Sequence, residues 1–280
     1  MSTRKAAGIA ALVALSVLAT RTAGAVDVTI EPRLASGVSY YNFDLDGRVE
    51  VGDNSVDDLE FNDWLLFVGA GTTVSIDRFF IDVSGQYSFS GEDDLGLDVE
   101  AGDVAIDNLA QEVDFDRIEA AVTLGYRITE RFAGYVGYRY ADVDFEGSGS
   151  LGGIGVDVTS ELEQMGPLVG ASYIVPQTVM NGTLIVNGAV TFLDGDFSSE
   201  LDAPAPIGNV TFDIDGDAVG LNGGVSWATA LNDRLKLVIG GDVSSYSFKD
   251  EGDDTDFEEL IARLRAEIRY SFDAGSWSGN

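Results

Sequence analysis

The sequence contains no cysteine and no histidine. Without cysteine the chain has no disulfides or thiol chemistry, and without histidine it lacks the usual zinc ligands and any histidine general base. Proline is scarce, at five residues, whereas glycine is abundant, at 34. After residue 21 lysine occurs only at Lys236 and Lys249. This composition is typical of β-structure with close backbone approaches, and it gives no reason to expect a cofactor.

The first 25 residues have the pattern of a secretory signal peptide. Arg4 and Lys5 form a basic start, residues 6–19 an apolar run, and Ala23-Gly24-Ala25 a small-residue cleavage site. The apolar run is shorter than the roughly 20 residues that a spanning helix needs. No later stretch is long and apolar enough for such a helix, so any membrane embedding must use strands. We expect residues 1–25 to be cleaved and residues 26–280 to form one domain.

The chain is strongly acidic. Its formal net charge is −32, and removal of residues 1–25, which hold three basic groups and no acidic ones, makes it −35. A field of this sign repels nucleic acids and attracts cations. A nucleic-acid partner is therefore not expected.

Residues 260–272 show the clearest strand pattern. The even positions are apolar from Leu260 to Phe272, whereas the odd positions include Arg263, Arg265 and Arg269. Successive side chains of a strand point to opposite faces, so this strand has one apolar face and one ionic face. In a membrane barrel the apolar face meets lipid, and in a soluble sheet it meets a packed core.

Ten segments of this kind follow the signal, and an even number suits a closed antiparallel barrel, although closure with eight strands stays open. The predicted strands are 28–44, 60–76, 79–90, 112–128, 132–146, 159–175, 182–197, 210–229, 234–248 and 258–272. Their connections are alternately short and long, and the long ones span about 45–59, 91–111, 147–158, 198–209 and 249–257. The long connections carry much of the acid: residues 91–114 contain nine carboxylates and no base. Short periplasmic turns and long extracellular loops are typical of outer-membrane barrels.

The faces opposite the apolar ones hold glycine, serine, threonine and ions, which favours an all-β transmembrane up-and-down barrel over a soluble secreted β-protein. Two predicted strands break this alternation. In the strand at 132–146, Val136 and Tyr138 have one parity and Val143 and Phe145 the other, and the strand at 210–229 shows a similar break. Either a bulge or a strand end outside the membrane would explain both breaks.

The chain ends its last predicted strand with Tyr270-Ser271-Phe272. Together with the signal and the rhythm of short and long connections, this ending resembles that of small Gram-negative outer-membrane β-barrels of the broad porin-like and opacity-protein-like group. The resemblance implies an outer-membrane location after export through the periplasm, with lipid and lipopolysaccharide around the barrel. It also implies that Tyr270 and Phe272 form an aromatic-x-aromatic signal for the barrel assembly machinery. Two features depart from that signal: residues 273–280 follow it, and Glu267 stands where glycine is common.

The inward-facing polar residues are the main candidate site. The predicted lumen-lining residues are Asp82, Glu119, Arg127, Arg139, Asp242, Arg263, Arg265, Glu267 and Arg269, joined by Gln164 and Asn187. They could line a narrow pore whose arginines set ion selectivity. They could equally form a packed ionic core, because a barrel of this size has little free space.

The remaining patterns suggest binding rather than catalysis. Asp213-Ile-Asp215-Gly216-Asp217 and Asp44-Leu-Asp46-Gly47 resemble fragments of calcium loops, so divalent cations at the acidic loops are possible, beside the plainer interpretation of a solvated acidic surface. Aromatic residues near strand ends fit interfacial girdles. The familiar protease, phospholipase and acyl-transfer barrels of the outer membrane rely on a catalytic histidine, which is absent, and although a carboxylate pair could do acid–base work, we expect no enzyme. The sequence predicts a porin-like narrow channel for ions or small polar solutes, with a non-conducting structural or surface-interaction barrel as the alternative.

Overall fold

The computed structural model of the chain describes residues 26–51, 54–89, 93–101, 104–106, 111–151, 154–202, 209–250 and 256–277. The predicted signal peptide at 1–25 lies outside these ranges. The strands are β1 (Val26–Val51), β2 (Asn54–Ile76), β3 (Phe79–Phe89), β4 (Asp93–Ala101), β5 (Val104–Ile106), β6 (Gln111–Arg127), β7 (Phe132–Leu151), β8 (Ile154–Val179), β9 (Gly182–Asp202), β10 (Val210–Ala230), β11 (Leu235–Asp250), β12 (Asp256–Tyr270) and β13 (Phe272–Trp277).

Ten of these strands form a closed antiparallel barrel. Each pairs with its neighbours in chain order, and β1 closes the sheet by pairing with β2 on one side and β12 on the other. β4 continues the position of β3 between β2 and β6, and β5 pairs with β4 alone. The predicted fold class and the count of ten strands are confirmed. No helix in the described ranges is long and apolar enough to cross a membrane.

The outer surface of the barrel carries a continuous apolar belt. Its members alternate with inward residues on every strand, and Leu264 is 64% exposed although it is a large apolar side chain. The belt includes Leu34, Leu66, Val68, Val83, Leu124, Val136, Val169, Leu221, Val243 and Leu264. A surface of this kind is stable only against hydrocarbon, so the chain has the fold of an outer-membrane β-barrel.

The two ends of the barrel differ in the length of wall beyond the belt. One end consists of tight connections at 77–78, 128–131, 180–181 and 231–234, and we call it the short-turn end. At the opposite, long-strand end the strands extend well past the belt. Met180 and Asn181 both have positive φ, at 50° and 61°, which is the backbone conformation of a two-residue hairpin turn.

The predicted long loops are largely strand instead. β1 runs to Val51 and β2 starts at Asn54, so most of the predicted loop at 45–59 is a paired hairpin. The predicted loops at 91–111 and 147–158 likewise contain strand residues of β4, β5, β7 and β8. The prediction ended each strand where its outward face turned polar, but backbone pairing continues beyond that point.

The two breaks in alternation have the same explanation. β7 keeps an unbroken register with β6 and with β8, so no bulge shifts its faces. Val136 and Tyr138 point outward in the belt, whereas Val143 and Phe145 are buried inside the barrel. β10 also pairs without a register shift with β9 and β11. The apolar face changes sides because the strand leaves the belt, which was the second of the two predicted explanations.

Carboxylates cover the outward face at the long-strand end. Asp142, Glu163, Asp196 and Asp215 lie in one row of directly paired residues on β7, β8, β9 and β10. The predicted calcium-loop fragments fall within β1 and β10, so Asp213, Asp215 and Asp217 alternate along a strand instead of surrounding a glycine turn. Residues 213–217 lie within the predicted strand at 210–229, and residues 44–46 also pair as strand, so neither segment forms a loop. Cation binding at these acids stays a prediction.

A charge within the belt should destabilise the barrel in lipid. Leu264→Arg should lower the free energy of unfolding in vesicles by about 2–4 kcal/mol, since the guanidinium would enter hydrocarbon. Ser247→Arg is the matched control, because Ser247 is an exposed outward residue paired with Glu258 beyond the belt. Urea unfolding measures both variants. Equal losses in both would contradict the assignment of the belt.

Candidate functional site

An apolar seal closes the interior at the long-strand end. Its members come from nine of the ten barrel strands and are all buried. They are Tyr41, Phe43, Leu65, Phe115, Val143, Phe145, Leu162, Leu193, Phe197, Ala218, Tyr246, Phe248, Phe257 and Ile261. The sequence analysis predicted a polar lumen, and the seal is therefore an addition to it. Beyond the belt the outer surface is polar and the strands need an apolar core inside, as a soluble barrel does.

The rings of the seal contact one another across the barrel. Phe43 on β1 lies with its ring centroid 5.8 Å from that of Phe197 on β9 and 5.7 Å from that of Phe257 on β12. Phe248 and Phe257 stack at 4.1 Å, and Phe115 meets Phe145 edge to face at 5.1 Å. The ring centroid of Phe43 also lies 6.2 Å from that of Phe145 on β7, and β7 and β9 are both on the far side of the barrel from β1, so Phe43 reaches across the lumen. The other ring pairs join neighbouring strands.

An ionic network fills the lumen next to the seal, with Glu119 at its centre. One carboxylate oxygen of Glu119 accepts hydrogen bonds from Arg117 at 2.6 Å, from Arg139 at 3.0 Å and from Arg263. These four residues lie on β6, β7 and β12. A buried carboxylate with three guanidinium partners is strongly held in its charged form by their fields and hydrogen bonds.

Glu259 links this centre to the seal. It accepts hydrogen bonds from Arg117 on one oxygen and, at 2.9 Å, from Gln164 on the other. The guanidinium carbon of Arg117 lies 5.3 Å from the ring centroid of Tyr41, and that of Arg139 lies 4.8 Å from the ring centroid of Tyr246. Cation–π contact therefore joins the innermost arginines of the network to tyrosines of the seal.

The network continues toward the short-turn end in smaller groups. Arg265 donates to Asp242 at 3.0 Å, and Asp242 also contacts Arg263. Elsewhere Arg33 donates to Asp82 at 2.8 Å. Two further groups complete the network: Glu267 forms ion pairs with Arg33 and Arg269, and Glu31 forms one with Lys236. The most exposed side chains of the network lie in this direction, at 32% for Arg265 and 45% for Lys236, whereas Arg33 and Glu267 stay largely buried there.

The structure brings together all but one of the nine predicted lumen residues. Asp82, Glu119, Arg139, Asp242, Arg263, Arg265, Glu267 and Arg269 belong to the network. Arg127 has the same parity but lies at the short-turn end, where its guanidinium donates to the Ser75 hydroxyl at 3.0 Å and to the Asp77 carbonyl at 3.3 Å.

Sequence analysis missed five members of the network: Glu31, Arg33, Arg117, Lys236 and Glu259. Arg117 and Glu259 share the inward parity of Glu119 and Arg263, so alternation alone could have found them. The partners on opposite walls could not be found, since alternation gives the face of a residue but not its height in the barrel.

Tyr270 and Phe272 lie on either side of a break between β12 and β13. Their ring centroids are 4.6 Å apart, and Phe272 is half exposed on the outward side. At the break, the Ser271 hydroxyl donates to Glu31 at 2.6 Å. β13 then pairs with the start of β1, which gives residues 272–277 a place in the barrel wall. The role of Tyr270 and Phe272 as a signal for barrel assembly stays a prediction.

The acidic outer face brings several carboxylates together. Oxygen atoms of Asp142, Asp144 and Glu161 lie within 4.8 Å of one another. Asp196 lies directly opposite both Asp215 and Glu163. A hydrogen bond with Asp215 raises the pKa of the Asp196 carboxyl above its ordinary value, with burial and the charges of Asp215, Asp194 and Glu163 acting in the same direction.

Comparisons with known proteins support the fold. No family model and no curated protein sequence matches the chain. The outer membrane protease OmpT of Escherichia coli aligns over 88% of this chain and 97% of its own, with a TM-score of 0.56 and 12% sequence identity. The translocator domain of the autotransporter NalP of Neisseria meningitidis aligns over 96% of each chain, with a TM-score of 0.44 and 12% identity. The likeness to OmpT shows a common fold and nothing of activity.

Removal of the central carboxylate, that of Glu119, should lower the free energy of unfolding. Glu119→Gln should destabilise the barrel by about 3–5 kcal/mol, since three buried guanidinium groups would lose their common partner. Glu119→Gln combined with Arg139→Gln should recover part of this loss, because it also removes one unmatched charge. Urea unfolding compares both with Glu200→Gln, an exposed outward carboxylate for which we expect a change within about 0.5 kcal/mol. A single variant as stable as this control would contradict the central role of Glu119.

The Asp196 pair should make stability depend on pH. Because the folded-state pKa of Asp196 is raised, the folded protein holds this proton more tightly than the unfolded chain, so stability rises as the pH falls through that pKa. Asp196→Asn should therefore raise the melting temperature at pH 7, and this gain should shrink at pH 4. Glu200→Gln lies opposite Thr159 and Thr211 and should show no such pH-dependent difference. An Asp196→Asn gain that persists unchanged at pH 4 would refute the prediction.

Proposed function

We propose that the protein is an integral outer-membrane β-barrel with a closed lumen, which acts at the cell surface through its long-strand end. The observation that carries this proposal is the apolar seal, in which the ring of Phe43 contacts those of Phe197 and Phe145 across the lumen. An ion would have to displace buried aromatic rings to pass it. The ionic network behind the seal adds a second layer in which each carboxylate has a cationic partner.

The orientation follows the common rule for this architecture. Short turns face the periplasm and the longer connections face outside. On this basis the acidic strands beyond the belt stand above the outer leaflet, among lipopolysaccharide head groups. Directly paired carboxylates such as Asp196 and Asp215 repel each other, so divalent cations are the proposed partners of this surface. Delivery by the barrel assembly machinery through Tyr270 and Phe272 completes the proposal, which assigns the barrel no catalytic role.

A narrow channel is the second candidate. The observation that favours it is the exposure of inward cations at the short-turn end, where the side chains of Arg265 and Lys236 are 32% and 45% exposed. Such groups would meet ions that enter from the periplasmic side. Conduction would then require movement of the seal, and the pore would prefer anions.

Conductance in planar bilayers tests the two candidates. The refolded protein should insert without conductance steps, whereas Phe43→Ala combined with Phe257→Ala should conduct in discrete steps, because it removes two rings at the centre of the seal. Adding Arg265→Ala to this variant should change its ion selectivity. Phe79→Ala is the matched control, since Phe79 lies on the outer face and is half exposed.

The wild-type result decides between the candidates. Discrete steps from the unmodified protein, with a selectivity that Arg265→Ala changes, would overturn the closed-lumen proposal in favour of the channel. A silent double variant that has inserted fully would show that the seal is not the barrier. Heat-modified gel mobility confirms folding in each case.

A further inference from the structure

The inner wall at the short-turn end carries a row of three cations. Arg33, Arg269 and Lys236 are directly paired in register on β1, β12 and β11. They share the inward face, and Arg265 lies on the same face of β12, two inward positions further from the short-turn end. Like charges placed directly opposite each other in a sheet are unfavourable without counter-charges. Such a row therefore needs anions nearby.

The chain supplies three counter-charges to this row: Glu267, Asp82 and Glu31. Glu267 is 4% exposed and contacts both Arg33 and Arg269, where it accepts from the Nε of Arg269. Within the described ranges, nothing accepts a hydrogen bond from the two terminal Nη groups of Arg269. Lys236 uses one of its three donors on Glu31, and Arg265 uses Nη1 on Asp242. Several donors thus stay available in the more exposed part of the network.

The ionic network holds more basic than acidic side chains. The network contains the bases Arg33, Arg117, Arg139, Lys236, Arg263, Arg265 and Arg269 and the acids Glu31, Asp82, Glu119, Asp242, Glu259 and Glu267. It is therefore one positive charge in excess, inside a chain whose overall charge is −32. Arg127 adds a further inward cation at the same end. Exposure is greatest at Lys236, Arg265 and Arg269, so these are the cations of the network that water and solutes can reach.

We propose that the part of the lumen around Lys236, Arg265 and Arg269, which we call the vestibule, binds a small oxyanion, a phosphate or a carboxylate. The anion enters from the short-turn end. Two guanidinium groups and an ammonium group offer forked and point-charge donors, and this combination suits both kinds of anion. The apolar seal closes the far end of the vestibule, so the anion binds at Arg269 and Lys236 and does not pass through. The proposal goes beyond the closed-lumen function, and its test measures binding instead of conductance.

Isothermal titration of the refolded protein, at constant ionic strength set with sodium chloride, tests the site. Inorganic phosphate and succinate are the two probes. At least one should bind saturably, and Arg269→Gln and Lys236→Gln should each weaken that binding about tenfold, the expected loss for one charge-assisted hydrogen bond. Binding of phosphate alone would assign a phosphate ligand, and binding of succinate alone a carboxylate.

Arg131→Gln is the matched control, because Arg131 is an exposed cation in a turn at the same end and outside the lumen. It should leave the affinity unchanged. Lys236 is the most exposed cation of the network, so its variant keeps the test valid if Arg269→Gln fails to fold. Absence of saturable binding, or an equal loss in Arg131→Gln, would overturn the proposal. Because the readout is equilibrium binding, this outcome is separate from the conductance result.

Discussion

The closed hydrogen-bonded sheet is the constraint on which the rest of the structure depends. In hydrocarbon every backbone donor and acceptor needs a partner, and the pairing of β1 with both β2 and β12 leaves the barrel without an edge. Closure gives every strand an inside and an outside, which successive residues must occupy in turn. The polarity of each face then depends on height in the barrel. Within the belt, lipid requires apolar residues on the outer face. Beyond the belt, the outer face meets water and the apolar residues lie on the inner face.

This rule explains the two layers of the interior. Where the wall rises past lipid, apolar residues turn inward and form the seal. At the height of the belt the apolar residues face outward, and the inward positions hold arginine and glutamate. These buried charges must form ion pairs and hydrogen bonds with one another. The contact of Arg117 with Tyr41 and of Arg139 with Tyr246 joins the layers, so aromatic faces cover the most buried guanidinium groups. The seal in turn keeps water from one side of the network and strengthens its electrostatic interactions.

Alternation along the chain was enough to predict the barrel, its ten strands and the inward face of Arg263, Arg265 and Glu267. It failed where the environment of a face changed along one strand: the strand ends were placed at the edge of the belt, and Val143 and Phe145 looked like a break in phase. Partners were beyond reach for another reason. Glu119 meets Arg263 because the closed sheet brings β6 opposite β12, and the spacing within a single strand contains no information about that distance.

The separation of charge between the two ends of the molecule follows from the same geometry. Carboxylates on the outer face at the long-strand end cannot neutralise arginines in the lumen, because distance and water screen their field. The network must therefore balance itself locally, and where burial is greatest the guanidinium groups of Arg117, Arg139 and Arg263 share the carboxylates of Glu119 and Glu259. Cations with donors to spare, such as Arg269 and Lys236, lie where water can solvate them. Solvation by water thus replaces ion pairing for the exposed cations, whereas the buried guanidinium groups depend on the carboxylates of the network.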